Sequence, residues 1–196
     1  MPSRFSASTA RSSDCLRDHF LLAMPGLSEG IFSHSITYIC EHGESGAMGI
    51  VINQALDLSL AEIFEHLQIH AHEDFSDRPV MAGGPVQIDH GFVLHRKCTR
   101  DWEASLKVTP EITLTTSRDI LRSIAGGSGP EDHLIALGYA GWSAGQLEHE
   151  LGENSWLTLP ADSDIIFSTP AEQRLGAAAA QLGVDMNLIC GEAGHA

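Results

Sequence analysis

Cys40, Glu41 and His42 are consecutive, and a thiol with an imidazole two residues further on is an arrangement that can generate a nucleophile. In an extended strand, residues i and i+2 share a face, so an imidazolium at His42 lowers the pKa of a Cys40 thiol and raises its thiolate fraction, while Glu41 points the other way. The plainer expectation is a small hydrophobe packed among apolar strand neighbours, since free cysteine is among the most buried residue types. Ser143 is the second candidate nucleophile. Gly141-Trp142-Ser143-Ala144-Gly145 fits G-x-S-x-G, the strand-to-helix turn that presents the serine of α/β-hydrolases, and Asp162 or Asp164 with His195 would supply acid and base in the required order. Only about fifty residues follow Ser143, too few for the further βα units such a sheet needs. A simpler role is available to Ser143, because with Gln146 three residues later it forms a capping box for a helix carrying Leu147 and Leu151.

Metal chemistry finds less support. There are eleven histidines, and Cys40, His42, His90 and His95 are candidates to converge, but no H-E-x-x-H occurs and His66 and His70 straddle a helix end. No metal site and no cofactor is expected. Gly83-Gly84-Pro85 and Gly126-Gly127-Ser128-Gly129 lack the following Lys and Ser/Thr of a phosphate-binding loop and read as turns. Tyr139, Trp142, Gln146, Glu41 and Asn53 are the candidates for a ligand or partner surface, although a large aromatic near a strand end, such as Trp142 or Trp156, is more often core.

Composition narrows the function classes. The formal charge of -15 reflects 26 acids against 11 Lys and Arg, and Arg174 is the only one of those bases after Ala144. Because DNA affinity comes largely from Lys and Arg neutralising phosphates, this balance opposes direct DNA binding. The cluster Arg96, Lys97, Arg100 and Lys107 reads as a solvated loop, and no helix-turn-helix with a basic recognition helix is visible. No apolar run approaches the roughly 20 residues that span a bilayer, and the start lacks the apolar core of a secretory signal, so a soluble, cytoplasmic protein is expected. The four cysteines have no paired spacing and are expected to be free thiols.

These side chains must be positioned by a mixture of strands and helices. Apolar runs predict strands over Phe20 to Met24, around Ile36 to Glu41, and over Ala47 to Ile52, the last two joined by a turn at Gly43 to Gly46. Ser59-Leu60-Ala61-Glu62 is a capping box opening a helix whose stripe is Leu60, Ile63, Phe64 and Leu67. Further strands are expected at Pro79 to Ala82, Gly91 to His95, Ile112 to Thr115, His133 to Ala140, Ser155 to Leu159 and Asp164 to Phe167. Helices are expected at Arg118 to Ala125, from Gly141 to about Leu151, and from Thr169-Pro170-Ala171-Glu172 to Gly183. Strands in runs broken by isolated helices indicate α+β. A disordered tail over 1–18 and one domain over 19–196 is the expected organisation.

Tyr38-Ile39-Cys40-Glu41-His42, Gly46-Ala47-Met48-Gly49-Ile50-Val51-Ile52-Asn53, Gly83-Gly84-Pro85, Gly91-Phe92-Val93-Leu94-His95, Gly138-Tyr139-Ala140-Gly141-Trp142 and Gly194-His195-Ala196 fall in one order. In this the chain resembles the bacterial YqgE/AlgH family, from about Phe20 to Ala196; some members are labelled transcriptional regulators. The resemblance implies a branched mixed β-sheet, part of it curled into a small barrel and surrounded by helices. Two departures are Gln54-Ala55, where the family favours a basic residue and Pro, and Leu175 after Arg174, where it tends to have Trp. The functional expectation is a non-catalytic regulatory protein acting through protein or small-ligand contacts, with Cys40 as a candidate modulator. An enzyme, by thiol chemistry at Cys40 or serine hydrolysis at Ser143, and a direct DNA-binding regulator are the alternatives.

Overall fold

The computed structural model describes residues 15–28 and 30–184. Strands β1 (His19–Ala23), β2 (Ile36–Gly43) and β3 (Gly46–Val51) form an antiparallel meander. After them come β4 (Ala55–Ser59), helix α1 (Leu60–His66), β5 (Pro79–Ala82), β6 (Val86–Arg96), β7 (Ser105–Lys107) and β8 (Ile112–Thr115). The order closes with α2 (Arg118–Ala125), β9 (His133–Ser143), α3 (Gln146–Gly152), β10 (Trp156–Pro160), α4 (Ser163–Phe167) and α5 (Ala171–Gln181).

The sheet runs β10-β1-β2-β3-β9-β6-β8-β7 and branches at β9. The first half of β9 pairs antiparallel with β6 and parallel with β5, through Met81↔Ala136. Its second half turns to β3, through Ala47↔Trp142. Long, apolar and buried over most of its first half, β9 has the composition of a strand covered on both sides. Two glycines allow the branch. Gly138 has φ +74, and a Cβ there would lie 2.4 Å from the Gly84 carbonyl oxygen, while a Cβ on Gly84 would lie 1.9 Å from the Tyr139 carbonyl carbon.

The sheet curls into a half-barrel whose inner face packs Tyr38, Ile50, Phe92 and Leu114 into one core with Ile166 of α4 and Ala178 of α5. Arg17, just ahead of β1, bridges toward the other end of the curl: its Nε donates to the Val108 carbonyl at 2.7 Å and its Nη2 to the Lys107 carbonyl. On the outer face, α1 and α2 cover β5, β6 and β9 around Phe64, Val80 and Ile120. A third cluster, Leu21, Ile39, Trp142, Leu147 and Trp156, lies under α3.

The α+β class, the branched sheet and its curled part are as expected. Several boundaries differ. Asp164 to Phe167 is helical, because a short apolar run has no decisive period; Asp162 accepts the Asp164 N–H at 2.9 Å and caps α4. The polar strands β4 and β7 were not foreseen, and β6 reaches back to Val86 through an irregularity in its pairing with β9 between Val86 and Gly91. The helix expected from Thr169 starts at Ala171 with Pro170 as its N-cap, and the Thr169 hydroxyl donates to the Asp164 carbonyl. The capping box of α1 is present as read, with both reciprocal bonds between Ser59 and Glu62, worth about 1 kcal/mol. Residues 1–14 of the expected tail, Cys190 and His195 lie outside the described residues. Asp18, also assigned to that tail, donates its N–H to the Ile39 carbonyl and accepts the Tyr38 hydroxyl, so it belongs to the body.

Candidate functional site

A groove of about 960 Å³ opens where β2, β3, β6 and β9 meet the β7–β8 hairpin. Its apolar floor is Met48, Phe92, Leu106, Leu114 and Tyr139, with the Tyr139 ring edge-on to Phe92 at 5.5 Å. Arg17, Glu41, His42, Trp142 and Ser143 reach its walls and rim. Five residues singled out from the sequence, Glu41, His42, Tyr139, Trp142 and Ser143, therefore converge here. Cys40, Asn53 and Gln146 do not line the groove.

Cys40 and His42 do not form a pair. Ile39 sits opposite Gly49 and Glu41 opposite Met48, so Cys40 is the extra residue of a β-bulge. The inserted residue reverses the alternation of faces. Cys40 packs with Tyr38 inside the half-barrel, whereas His42 sits opposite Ala47, beside Trp142, on the other face. The Cys40 thiol is fully buried, and its pKa is raised by desolvation first and by the charge of Glu41 second, with Arg17 pulling weakly the other way. The expectation of a thiolate activated by His42 is thus corrected: a strict period of two fails at a bulge.

His42 works as a strap. Its Nδ1 accepts the Leu16 N–H at 2.9 Å, which puts the ring proton on Nε2, and Nε2 donates to Glu148 Oε1 of α3 at 2.7 Å. Neither nitrogen is left for a substrate. The Cys15 thiol, at the groove mouth, donates to the His42 carbonyl at 3.5 Å.

Ser143 ends β9 and does not cap α3. The cap is Gly145, at φ 75, and only half of the expected capping box forms: the Ser143 N–H and hydroxyl both donate to Gln146 Oε1, at 3.0 and 3.2 Å, without a return bond from the Gln146 N–H to the Ser143 hydroxyl. Gln146 passes the connection on by donating to Glu150 Oε1 at 2.9 Å. Glu150 Oε2 then accepts both indole N–H groups, Trp142 at 2.9 Å and Trp156 at 2.8 Å. Trp142 and Trp156 are 6.0 Å apart and edge-on, with Phe32 5.6 Å from Trp156. Both tryptophans are core with polar tips satisfied by one carboxylate. Asp162 and Asp164, the acids proposed for a serine triad, serve α4 and Arg96, the latter at 2.7 Å from Asp164.

Asn53 stitches the start of β2 to the end of β3, its Oδ1 accepting the Ile36 N–H at 2.9 Å and its Nδ2 donating to the His34 carbonyl at 2.8 Å. Among the described residues, no cluster of three or more His, Cys, Asp or Glu is placed to hold a metal ion. No described helix is long and apolar enough to cross a membrane. Glu148, Glu150 and Arg17 were missed from the sequence; the i,i+4 spacing of Gln146 and Glu150 on a short amphipathic helix was the available signal for one of them.

A family model described as AlgH-like matches residues 20–187. The chain belongs to the AlgH-like family. A UPF0301 protein of Saccharophagus degradans is 56% identical over 181 residues, covering 92% of this chain and 89% of that one. Another from Thioalkalivibrio sulfidiphilus is 56% identical over 179 residues, covering 91% and 96%. Among solved structures, the AlgH protein from Pseudomonas aeruginosa is 47% identical and superposes with a TM-score of 0.76, covering 99% of this chain and 100% of that one. A Corynebacterium diphtheriae protein at 16% identity shares the fold, with a TM-score of 0.70 over 89% and 91% of the two chains. The AlgH-like fold is thus the frame that brings the β2–β3 hairpin and the end of β9 to one groove.

Proposed function

We propose that this AlgH-like protein is a non-catalytic cytoplasmic binding protein that holds a small ligand or a partner segment in the groove between the β2–β3 hairpin, the end of β9 and the β7–β8 hairpin. Any effect on transcription then runs through that contact and not through DNA. One observation carries the reading: His42, Ser143 and Cys40, the base and nucleophiles singled out from the sequence, are each committed within the protein. Both His42 nitrogens are bonded, the Ser143 hydroxyl donates to Gln146, and the Cys40 thiol is buried behind the wall. What remains toward solvent is an apolar floor with a few polar groups, the composition of a recognition site of the usual size.

The deciding experiment is amide NMR of the labelled protein against a small-molecule fragment set, run beside a serine-directed fluorophosphonate. Binding shifts confined to Gly46–Met48, Phe92 and Tyr139–Ser143, with no covalent adduct, are expected. Adduct formation at Ser143 that disappears in a folded Ser143→Ala variant would replace this reading with a hydrolase. A gel-shift at physiological salt showing sequence-selective DNA binding would replace it with direct regulation.

A further inference from the structure

Strand β7 is the last of the sheet and pairs only with β8. The Thr116 N–H donates to the Ala104 carbonyl and the Val108 N–H to the Ile112 carbonyl, which makes Ser105↔Thr115 and Lys107↔Thr113 the non-hydrogen-bonded pairs of this ladder. The main-chain groups of Ser105 and Lys107 therefore point away from β8, along a sheet edge. Arg17 takes one of them, the Lys107 carbonyl. The Ser105 N–H, the Ser105 carbonyl and the Lys107 N–H are left, and no described strand covers them. An open row of this kind is a template for one more strand.

Beside that edge the groove presents Leu106, Met48 and Tyr139, each only partly buried, as an apolar seat. Charge divides its walls. Arg17 and Lys107 stand at the β7 side, whereas Glu41 of β2 is exposed on the rim and makes no ion pair or hydrogen bond with a described residue. Cys15 and Arg17 both line the groove, so residues 1–14 join the body at its mouth. Phe5 is the one aromatic of that segment, and Arg4 and Arg11 are its only charged side chains before Asp14. All 26 acids of the chain lie from Asp14 onward, so the segment and the body attract. Nine residues separate Phe5 from Cys15, an extended reach of roughly 30 Å, against about 10 Å for the three residues of β7.

We propose that residues 1–14 dock back into this groove as an added strand on the β7 edge, with Phe5 on Leu106, Met48 and Tyr139 and the arginines toward Glu41. The chain's own start then competes with the ligand or partner of the groove. This inference rests on the groove being a recognition site. A short tether gives an effective concentration in the millimolar range, so a contact of about 0.1 mM affinity is occupied about tenfold over.

The test compares amide spectra of the full chain, its Phe5→Ala variant and a chain lacking residues 2–14, whose melt must match because the described contacts of the body begin at Cys15. Deletion is expected to move the amides of Met48, Ser105 to Lys107 and Tyr139 and to speed exchange at the Ser105 and Lys107 N–H groups. A synthetic peptide of residues 1–14 should restore both, and its Phe5→Ala form should bind about tenfold more weakly. Small-molecule fragments should bind the deleted chain about tenfold more tightly than the full one. Identical groove amides with and without the segment, or equal binding of a scrambled peptide of the same composition, would overturn the proposal. Fragments that bind both chains equally would overturn it and leave the recognition site standing, whereas a groove that takes neither fragment nor peptide in the deleted chain would remove both readings.

Discussion

The Cys40 thiol and the His42 imidazole lie on opposite faces of β2, separated by a β-bulge that inserts Cys40 between the pairs Ile39↔Gly49 and Glu41↔Met48. One extra residue thereby turns an apparent thiol–imidazole dyad into a core residue and a helix strap.

The first prediction follows directly. Burial raises the Cys40 pKa, so little thiolate exists at neutral pH and no reagent reaches it. Iodoacetamide on the folded protein should label exposed Cys15 and leave Cys40 untouched until denaturant is added, as read by peptide mass spectrometry. Rapid native labelling of Cys40 with a pKa below the free value would return it to the functional thiols.

Glu150 holds the two indoles. Trp142 and Trp156 are 6% and 4% exposed, and removal of their shared acceptor strands two N–H groups at about 1–3 kcal/mol each. Glu150→Ala should lower the unfolding free energy in urea by about 3 kcal/mol, and Glu150→Gln, which keeps an acceptor oxygen, by roughly half of that. A loss below about 0.5 kcal/mol in the alanine variant would mean that the indoles find other partners.

How much of this was visible in the sequence depends on how local each signal is. The capping box at Ser59 and Glu62, the α2 bounds and the β5 and β8 strands were readable, because each rests on spacing within a few residues. The bulge at Cys40 was not, since it exists only relative to the partner strand β3. Ser143 misled for a related reason: a Ser three residues before Gln is a capping signature, yet Gly145 adopts the left-handed conformation and takes the cap itself. The acceptor role of Glu150 depends on two tryptophans brought together from β9 and β10, a contact that only the folded sheet creates.

Acid should destabilise the protein well above the carboxylate range. His95 and His133 face each other across β6 and β9, and burial lowers both pKa values from 6.5. Around His95, the Arg96 carbonyl pulls upward and His133 downward; around His133, the Pro130 and Glu131 backbone and Asp132 pull upward and Arg78 downward. Because the unfolded chain takes up protons more readily, stability is highest above the unfolded value and falls as pH drops through about 6.5. Melting temperatures between pH 8 and 5 should fall along this limb, and His95→Gln should flatten it. Glu62, held below its usual range by bonds from Ser59, loses its contribution only at lower pH, so the two windows separate. A melting temperature constant down to pH 5 would refute the assignment.

Arg174 is the residue on which the docking of α5 turns. It is 8% exposed, and its Nε donates to the Thr169 carbonyl at 3.0 Å while Nη1 donates to the Ile52 carbonyl at the end of β3. Burial lowers its pKa to about 10, with Glu172 opposing, so the group remains a cation at neutral pH and binds carbonyl dipoles without an ion-pair partner among the described residues. Arg174→Met keeps much of the volume and removes both bonds, leaving two carbonyls and the α5 register without their tie. The expected cost is about 2–4 kcal/mol in urea unfolding. Hydrogen exchange distinguishes the cause: amides of Ala171–Gln181 and the α4 turn should exchange faster while β6 and β9 keep their protection. Uniform acceleration over the whole sheet would show that Arg174 supports global stability and not the attachment of one helix.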